Sequence, residues 1–174
     1  MKLNIGGEQK KEGWKILNIQ QKENVDFIGD ISDLSQFDDS SIDEIYASHV
    51  VEHVVKNKVK ETLRGIYRIL KDNGKFYISV PDMDVLCKIF LAKDAPNKIK
   101  FHAMTMMFGG QVDKYDYHYF GWNYDFLKLY LIQAGFKNLE KVKSFGLFDD
   151  TSDYAPYNDG SGQVPISLNV IAYK

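Results

Sequence analysis

A chain of 174 residues has room for one domain with a full hydrophobic core and is too short for two of ordinary size. With 44% hydrophobic and 26% charged residues it has ordinary globular composition; 22 basic residues against 24 acidic leave a net charge of −2, so a nucleic-acid partner is not expected. The one cysteine, Cys87, excludes an internal disulfide framework and a cysteine-rich zinc site.

The opening Met1-Lys-Leu-Asn-Ile-Gly reads as a strand rather than a signal peptide. No apolar run reaches the roughly 18 residues of a membrane span. A soluble, cytoplasmic single domain without membrane attachment is expected. Lys2–Ile5 forms the first strand and ends at Gly6-Gly7, where the backbone must turn tightly or pass close to something. Strands follow at Lys15–Ile19 and Val25–Ile28, then a helical turn over Ser32–Phe37 and a strand over Ile42–Ala47. From about Val50 to Lys71 the spacing of Val59, Leu63, Ile66 and Leu70 predicts one helix, with Asn73-Gly74 as its stop. Phe76–Val80 is the fifth strand, Pro81 cuts it, and Asp82 can cap a helix over about Met83–Lys93. Helices are predicted again over Asn97–Phe108 and Tyr124–Ala134, the second capped by Asn123 and stopped by Gly135. Between them Gly109–Gly121 is an aromatic loop. The closing strands are Lys137–Ser144 and Ser167–Tyr173, joined by a long polar loop from Asp149 to Pro165. Alternating strands and helices predict an α/β fold with a mostly parallel sheet and a C-terminal antiparallel hairpin. In such sheets ligands sit beyond the carboxyl ends of the strands, where Gly6, Gly7, Asn18, Asp30, Ser48 and His49 all fall.

His49, Glu52 and His53 stand at i, i+3 and i+4 and would share one helix face. This H-x-x-E-H also fits a metalloprotease signature, but its place straight after a sheet strand argues against a protease. Glu52 can simply cap or pair locally while the histidines pack against the next loop; a divalent metal held by these three with His118 is geometrically conceivable, or a histidine could act as general base without any metal, and no metal site is expected. Neither G-x-G-x-x-G nor a long helix follows Gly6-Gly7, which disfavours a nicotinamide cofactor. Lys56, Lys60, Arg64 and Arg68 lie four apart and read as a solvated helix face. Tyr115–Phe120, with His118 among its aromatics, reads as a pocket wall.

The chain resembles the small single-domain class I S-adenosylmethionine-dependent methyltransferases. The likeness is carried by Leu3-Asn-Ile-Gly-Gly7, Gly13-Trp14, Ser41-Ile-Asp43, Val51-Glu-His53, Arg68-Ile-Leu-Lys-Asp-Asn-Gly74, Ile78-Ser-Val-Pro-Asp82, Ala134-Gly-Phe136 and Leu168–Lys174. It implies a Rossmann-like sheet and S-adenosylmethionine as cofactor. By position, Gly6 and Gly7 would pass under its methionine and ribose, Asn18 would face the ribose, Asp30 and the Ile31 backbone the adenine, and Ser48-His49 the sulfonium end. His49, His53 and His118 would be the catalytic candidates. The single domain would span residues 1–174, with 82–123 as an inserted lid and acceptor-pocket segment. The expected acceptor is a small molecule or a sugar, methylated on oxygen or nitrogen; homo-oligomerisation is left open. Two departures stand out: a glycine loop one residue short, and a neutral Asn18 where the family carries an acid. They motivate the alternative of a catalytically inactive protein of the same fold that binds an S-adenosyl ligand or serves a structural role.

Overall fold

The computed structural model describes all residues 1–174. Its centre is a seven-stranded sheet of β1 (Lys2–Ile5), β2 (Trp14–Asn18), β3 (Phe27–Ile28), β4 (Ile42–Ser48), β5 (Leu70–Pro81), β6 (Asn138–Val142) and β9 (Ser167–Tyr173), in the order β3-β2-β1-β4-β5-β9-β6. Pairing is parallel from β3 through β5, and β9 runs antiparallel to both of its neighbours. The chain steps outward from β1 to β3 and then returns to lay β4 against the other side of β1. The ends of β1, β2 and β4 therefore surround a topological switch point.

Side-chain alternation assigns the two faces. Ile45, Ala47, Phe76 and Ile78 point into the main core with Leu3, Ile5 and Leu17, while Tyr46 and Tyr77 point the opposite way beside Trp14. The core face is covered by α1 (Val59–Ile69) and α4 (Tyr124–Ala134), which pack together through Leu63, Ile66, Leu127 and Leu131. No α-helix packs against the Tyr46 cluster. There Trp14, Tyr46 and Tyr77 pack edge-on against Phe145 and Phe148, with ring centroids 5.3–5.7 Å apart except for the tilted Tyr46–Phe148 pair at 4.7 Å, and Trp14 meets Tyr46 edge-on at 6.3 Å. The connection from β6 to β9 thus supplies the second layer. A satellite core joins α2 (Met83–Leu91) and α3 (Asn97–Phe108) to the two-stranded hairpin β7 (Tyr157–Asn158) and β8 (Gln163–Val164) through Leu86, Ile89, Ala103, Tyr157 and Ile166.

The helices α3 and α4 have the predicted bounds. Asn123 caps α4 through a 3.0 Å bond from the Phe126 amide, and Asp82 caps α2, which ends at Leu91. The predicted helix from Val50 to Lys71 is two pieces, a 3-10 turn over Val51–His53 and then α1. Val51 and Val54 are both buried three residues apart, a spacing that suits the tighter turn, and Val54 is extended with ψ 128. At the other end Leu70 is already in β5 beside Ile42, and Asn73, at φ 63, belongs to a bulge of that strand rather than to a helix stop. The segment Ser32–Phe37 is a run of turns, with Asp30 and not Ser32 accepting the capping amide. The predicted polar loop 149–165 contains the β7–β8 hairpin, and β3 and β6 are shorter than predicted. No helix is long and apolar enough to cross a membrane.

Candidate active site

A cleft of about 600 Å³ lies beyond the strand ends, lined by Gly6, Asn18, Asp30, Ile31, His49 and His53 from the sheet and by Val112–Asp116 and Tyr119 from the aromatic loop. A second cavity of about 450 Å³ adjoins it across Gly6, Glu8 and His49, and takes in Gly7, Tyr46, Ser48 and Asp150. Among the predicted cofactor residues, Gly7 and Ser48 therefore face the second space and the rest face the first. The catalytic candidates divide as well: His49 and His53 line the cleft, and His118 does not line it but packs against His53.

The glycine loop is held by the protein itself. Gly6 turns at φ +78, and a β-carbon there would lie 2.5 Å from Val50 Cγ2. Asn18 donates its amide to the Gly6 and Gly7 carbonyls at 3.2 Å each and accepts from the Gln20 amide at 2.9 Å. Most of its polarity is spent fixing the loop, which leaves one Oδ1 lone pair for a ligand. Asp30 accepts from the Ser32 amide at 2.8 Å through Oδ1 and keeps Oδ2 free of protein partners. Gln20 reaches across the cleft to Asp113 at 3.3 Å, tying the aromatic loop to the end of β2.

His49 follows β4 directly and lies in the left-handed region, at φ 54, a conformation that costs a non-glycine residue about 1–3 kcal/mol. It is kept there by its amide bond to Ser79 (2.9 Å) and by its ring, which bridges Ser167 Oγ (2.9 Å) and Glu52 Oε1 (3.3 Å). Glu52 is 1% exposed, and neither carboxylate oxygen has a partner of hydrogen-bond geometry. Burial alone would push this carboxyl up; the contact with His49 and the proximity of His53 and His118 outweigh it and hold it below the usual glutamate value. His118 is shifted down, chiefly by burial, which favours the neutral ring. Its Nδ1 contacts the Met106 carbonyl at 2.8 Å, as His53 Nδ1 contacts the Tyr117 carbonyl at 3.1 Å. The aromatic loop is strapped to the sheet here by the Tyr119 amide, which donates to the Glu52 carbonyl at 2.8 Å.

Asp150 was visible in the sequence only as part of a long polar loop. It accepts from Tyr46 Oη (2.8 Å), Ser48 Oγ (3.1 Å) and the Ser152 amide (2.9 Å), and so sets a carboxylate in the wall of the second cavity. A polar loop over a strand end was the available signal. Thr151 lines the same cavity, while Tyr157 and Val164, further along the loop, pack into the satellite core. Burial pushes the phenols of Tyr46 and Tyr77 up, that of Tyr77 to about 12. A raised folded value means stability present below the ordinary phenol value near 10 and lost as pH rises through the folded ones. Thermal melting across about pH 9–12 is expected to show that loss, and Tyr46→Phe to flatten it; an unchanged slope would remove Tyr46 as a source.

The strand order, the glycine turn at the first strand end and the carboxylate after the third define a Rossmann-like class I methyltransferase fold. Residues 6–78 match the model of a family described as a methyltransferase domain, a segment that includes every predicted cofactor residue. Among solved structures, an S-adenosylmethionine-dependent methyltransferase from Archaeoglobus fulgidus aligns over 99% of this chain and 85% of its own, at 20% identity and a TM-score of 0.64. A methyltransferase of the same dependence from Thermotoga maritima aligns over 99% and 81%, at 14% identity and a TM-score of 0.59. The 1,6-didemethyltoxoflavin-N1-methyltransferase of Burkholderia thailandensis, solved with its substrate and S-adenosylhomocysteine, aligns over 99% and 70%, at 15% identity and a TM-score of 0.58. At these identities the structures establish the shared fold. No curated protein sequence matches the chain. The resemblance to the class I methyltransferases, whose cofactor is S-adenosylmethionine, holds in the family match and in the fold alike.

Proposed function

We propose that this chain is a methyltransferase that binds S-adenosylmethionine across the β1–β4 switch point and serves an oxygen or nitrogen of a small-molecule or sugar acceptor. The observation that carries this reading is the convergence of Gly6, Asn18, Asp30, Ile31 and His49 on one cleft at the strand ends. The donor set suits the cofactor. The free Asp30 oxygen and the Ile31 backbone would take the adenine edge, and the spare Asn18 lone pair a ribose hydroxyl. The amino-acid tail would cross Gly6 and Gly7 into the second cavity, where Asp150 can receive its ammonium. Bound there, the cofactor supplies a methyl carbon on a positively charged sulfur that leaves as a neutral thioether.

The protein would contribute position and proton traffic. Tyr115 and Tyr119 line the cleft together with His49 and His53 and would restrict water and hold an acceptor in line. His53 lines the cleft and keeps its Nδ1 on the Tyr117 carbonyl, so that in the neutral ring the Nε2 lone pair would receive an acceptor proton, with His118 packed edge to face against it as the helper. His49, placed where the two cavities meet, is the third candidate base.

The alternative of a ligand-binding protein without catalysis is favoured by one observation: Asn18 spends its amide on the glycine loop. Calorimetry with S-adenosylmethionine and S-adenosylhomocysteine tests both readings, followed by transfer of labelled methyl to a broad acceptor panel. No binding at millimolar ligand overturns the cofactor site, and binding without transfer to any acceptor favours the inactive protein. Asp30→Ala is expected to weaken S-adenosylhomocysteine about tenfold or more, the worth of a charge-assisted bond. Unchanged affinity would take Asp30 out of the adenine site.

A further inference from the structure

We infer that the hairpin of α2 and α3 is a docking surface for an anionic lipid bilayer, on which it lies without crossing. The two helices are joined by the short turn 92–96, and their inner sides are spent on the satellite core through Leu86, Ile89 and Ala103. Their outer sides are apolar where nothing covers them: Phe90 is 44% exposed, Leu91 76%, Phe101 66% and Phe108 58%. Leu91 closes α2, and Phe101 begins the second turn of α3, where a helical Cα–Cβ bond tilts toward the N-terminus and so toward the turn. Phe101 and Phe108 stand at i and i+7, opposite the inner stripe of Ile99, Ala103 and Met106. Exposed apolar side chains thus gather at the tip of the hairpin and continue along α3.

Charge selects the occupant. Residues 85–108 hold four lysines, Lys88, Lys93, Lys98 and Lys100, and one acid, Asp94. Asp94 accepts from the Tyr157 hydroxyl at 3.4 Å. The lysine ion pairs of the protein fall on Lys2, Lys15, Lys22, Lys71 and Lys141 and on none of these four. The segment therefore carries a net +3 in a chain of net −2, which leaves the rest at −5. Lys88 precedes Leu91, and Lys98 precedes Phe101, by three positions, so each cation shares a helix face with an exposed apolar side chain. Lysine stems bury their methylenes beside such groups and keep the ammonium at the level of the headgroups.

A second copy of the chain fits this surface poorly, because an isologous contact would set the same +3 against itself. A nucleic acid would engage the lysines but offers no apolar phase to Leu91, the most exposed of the four apolar side chains. A bilayer with anionic headgroups answers both features. The lysines meet the headgroup anions, Leu91 and Phe101 reach the acyl boundary, and the acidic remainder of the chain is turned away. The expectation of no membrane attachment rested on the lack of a spanning run, and a hairpin lying on the surface needs none. Through Gly109, α3 leads into the aromatic loop whose residues 112–116 line the cleft, so the docking surface and the cleft wall are one continuous stretch of chain. The docking does not depend on the methyl-transfer reading and is tested without cofactor or acceptor.

Full-length chain is mixed with phosphatidylcholine vesicles that contain or lack about 30% phosphatidylserine, an ordinary anionic surface. Co-sedimentation is expected to be about tenfold or more tighter with the anionic vesicles. It should fall about tenfold or more between about 0.1 and 1 M salt, as the screening length shrinks from about 10 to 3 Å. Lys98→Ala with Lys100→Ala should weaken it about tenfold or more, since one lysine near such a surface is worth about fivefold. Leu91→Ser with Phe101→Ser should weaken it by a similar factor, with Phe126→Ala and Lys128→Ala on the exposed side of α4 as unaffected controls. Cys87, the one cysteine, is exposed on α2 four positions before Leu91 and gives a readout that needs no substitution. An environment-sensitive fluorophore on it should brighten and shift to the blue with anionic vesicles and not with neutral ones. No sedimentation with anionic vesicles at about 1 mM lipid, roughly tenfold above the dissociation constant of a single acyl anchor, overturns the docking surface. Equal binding to neutral vesicles, or parent-like binding in both paired variants, overturns it as well. So does a dimer of the free chain that the Leu91 and Phe101 changes dissolve, which would give this face to a second copy.

Discussion

A Gly6→Val chain is expected to melt roughly 5–15 °C below the parent and to lose measurable S-adenosylhomocysteine binding. Two separate costs meet at this position. The backbone sits at φ +78, where a β-branched residue is an outlier costing about 1–2 kcal/mol or more. The new β-carbon also starts 2.5 Å from Val50 Cγ2, so either Val50 or the loop has to move. Overpacking of this kind costs about 1–3 kcal/mol. Val50 lies between His49 and the 3-10 turn, and a shift there carries Glu52 and His53 with it. Gly13 separates the two costs: it has the same φ of +78 and nothing within 4 Å of the added carbon. Gly13→Val should therefore show only the backbone part, about 1–2 kcal/mol, with ligand binding intact. If Gly6→Val and Gly13→Val melt alike, the contact with Val50 is not what requires the glycine. A normal Kd in Gly6→Val would detach this turn from the cofactor.

Where one residue's burial dictated its neighbours, the fold could be read from the chain. The alternation Ile45-Tyr46-Ala47 and Phe76-Tyr77-Ile78 separates two faces at a glance, and Asn123 with Gly135 brackets α4 as read. The parallel sheet followed from strands alternating with helices, and the cleft followed from the sheet. The break between His53 and Val59 was hidden because Val51, Val54 and Val59 remain apolar through it. An apolar stripe cannot distinguish a 3-10 turn with an extended linker from a continuing helix. Asn18 stood at the expected strand end, yet its amide turns toward the short Gly6-Gly7 loop and donates to both of its carbonyls. His118 and Asp150 illustrate the remaining difficulty. Each reaches the site from an irregular segment, and the bonds that set Asp150 against Ser48 and Tyr46 span 102 and 104 residues. No local periodicity encodes such a meeting.

Asp150 gives the second large effect, and it separates the two halves of the cofactor. Asp150→Asn is expected to weaken S-adenosylhomocysteine roughly 10–100-fold while leaving 5′-methylthioadenosine within about twofold of its parent affinity. The two ligands share the nucleoside and the sulfur; only the first carries an amino-acid tail with its ammonium. A carboxylate has about four acceptor positions, and the bonds from Tyr46, Ser48 and the Ser152 amide leave room for one more donor on the cavity side. The asparagine keeps the shape and removes the charge, so the affinity change reads the charge-assisted bond. Tyr46→Phe frees one Asp150 oxygen and should cost S-adenosylhomocysteine less than Asp150→Asn does, because Ser48 and the Ser152 amide still hold the carboxylate in place. Asp30→Ala is the complement, weakening both ligands alike, since the adenine is common to them. Equal losses for both ligands in Asp150→Asn would mean that the residue acts on the glycine loop as a whole. Failure of the parent chain to bind either ligand would instead remove the cofactor site, and no distribution of charge at Asp150 could restore it.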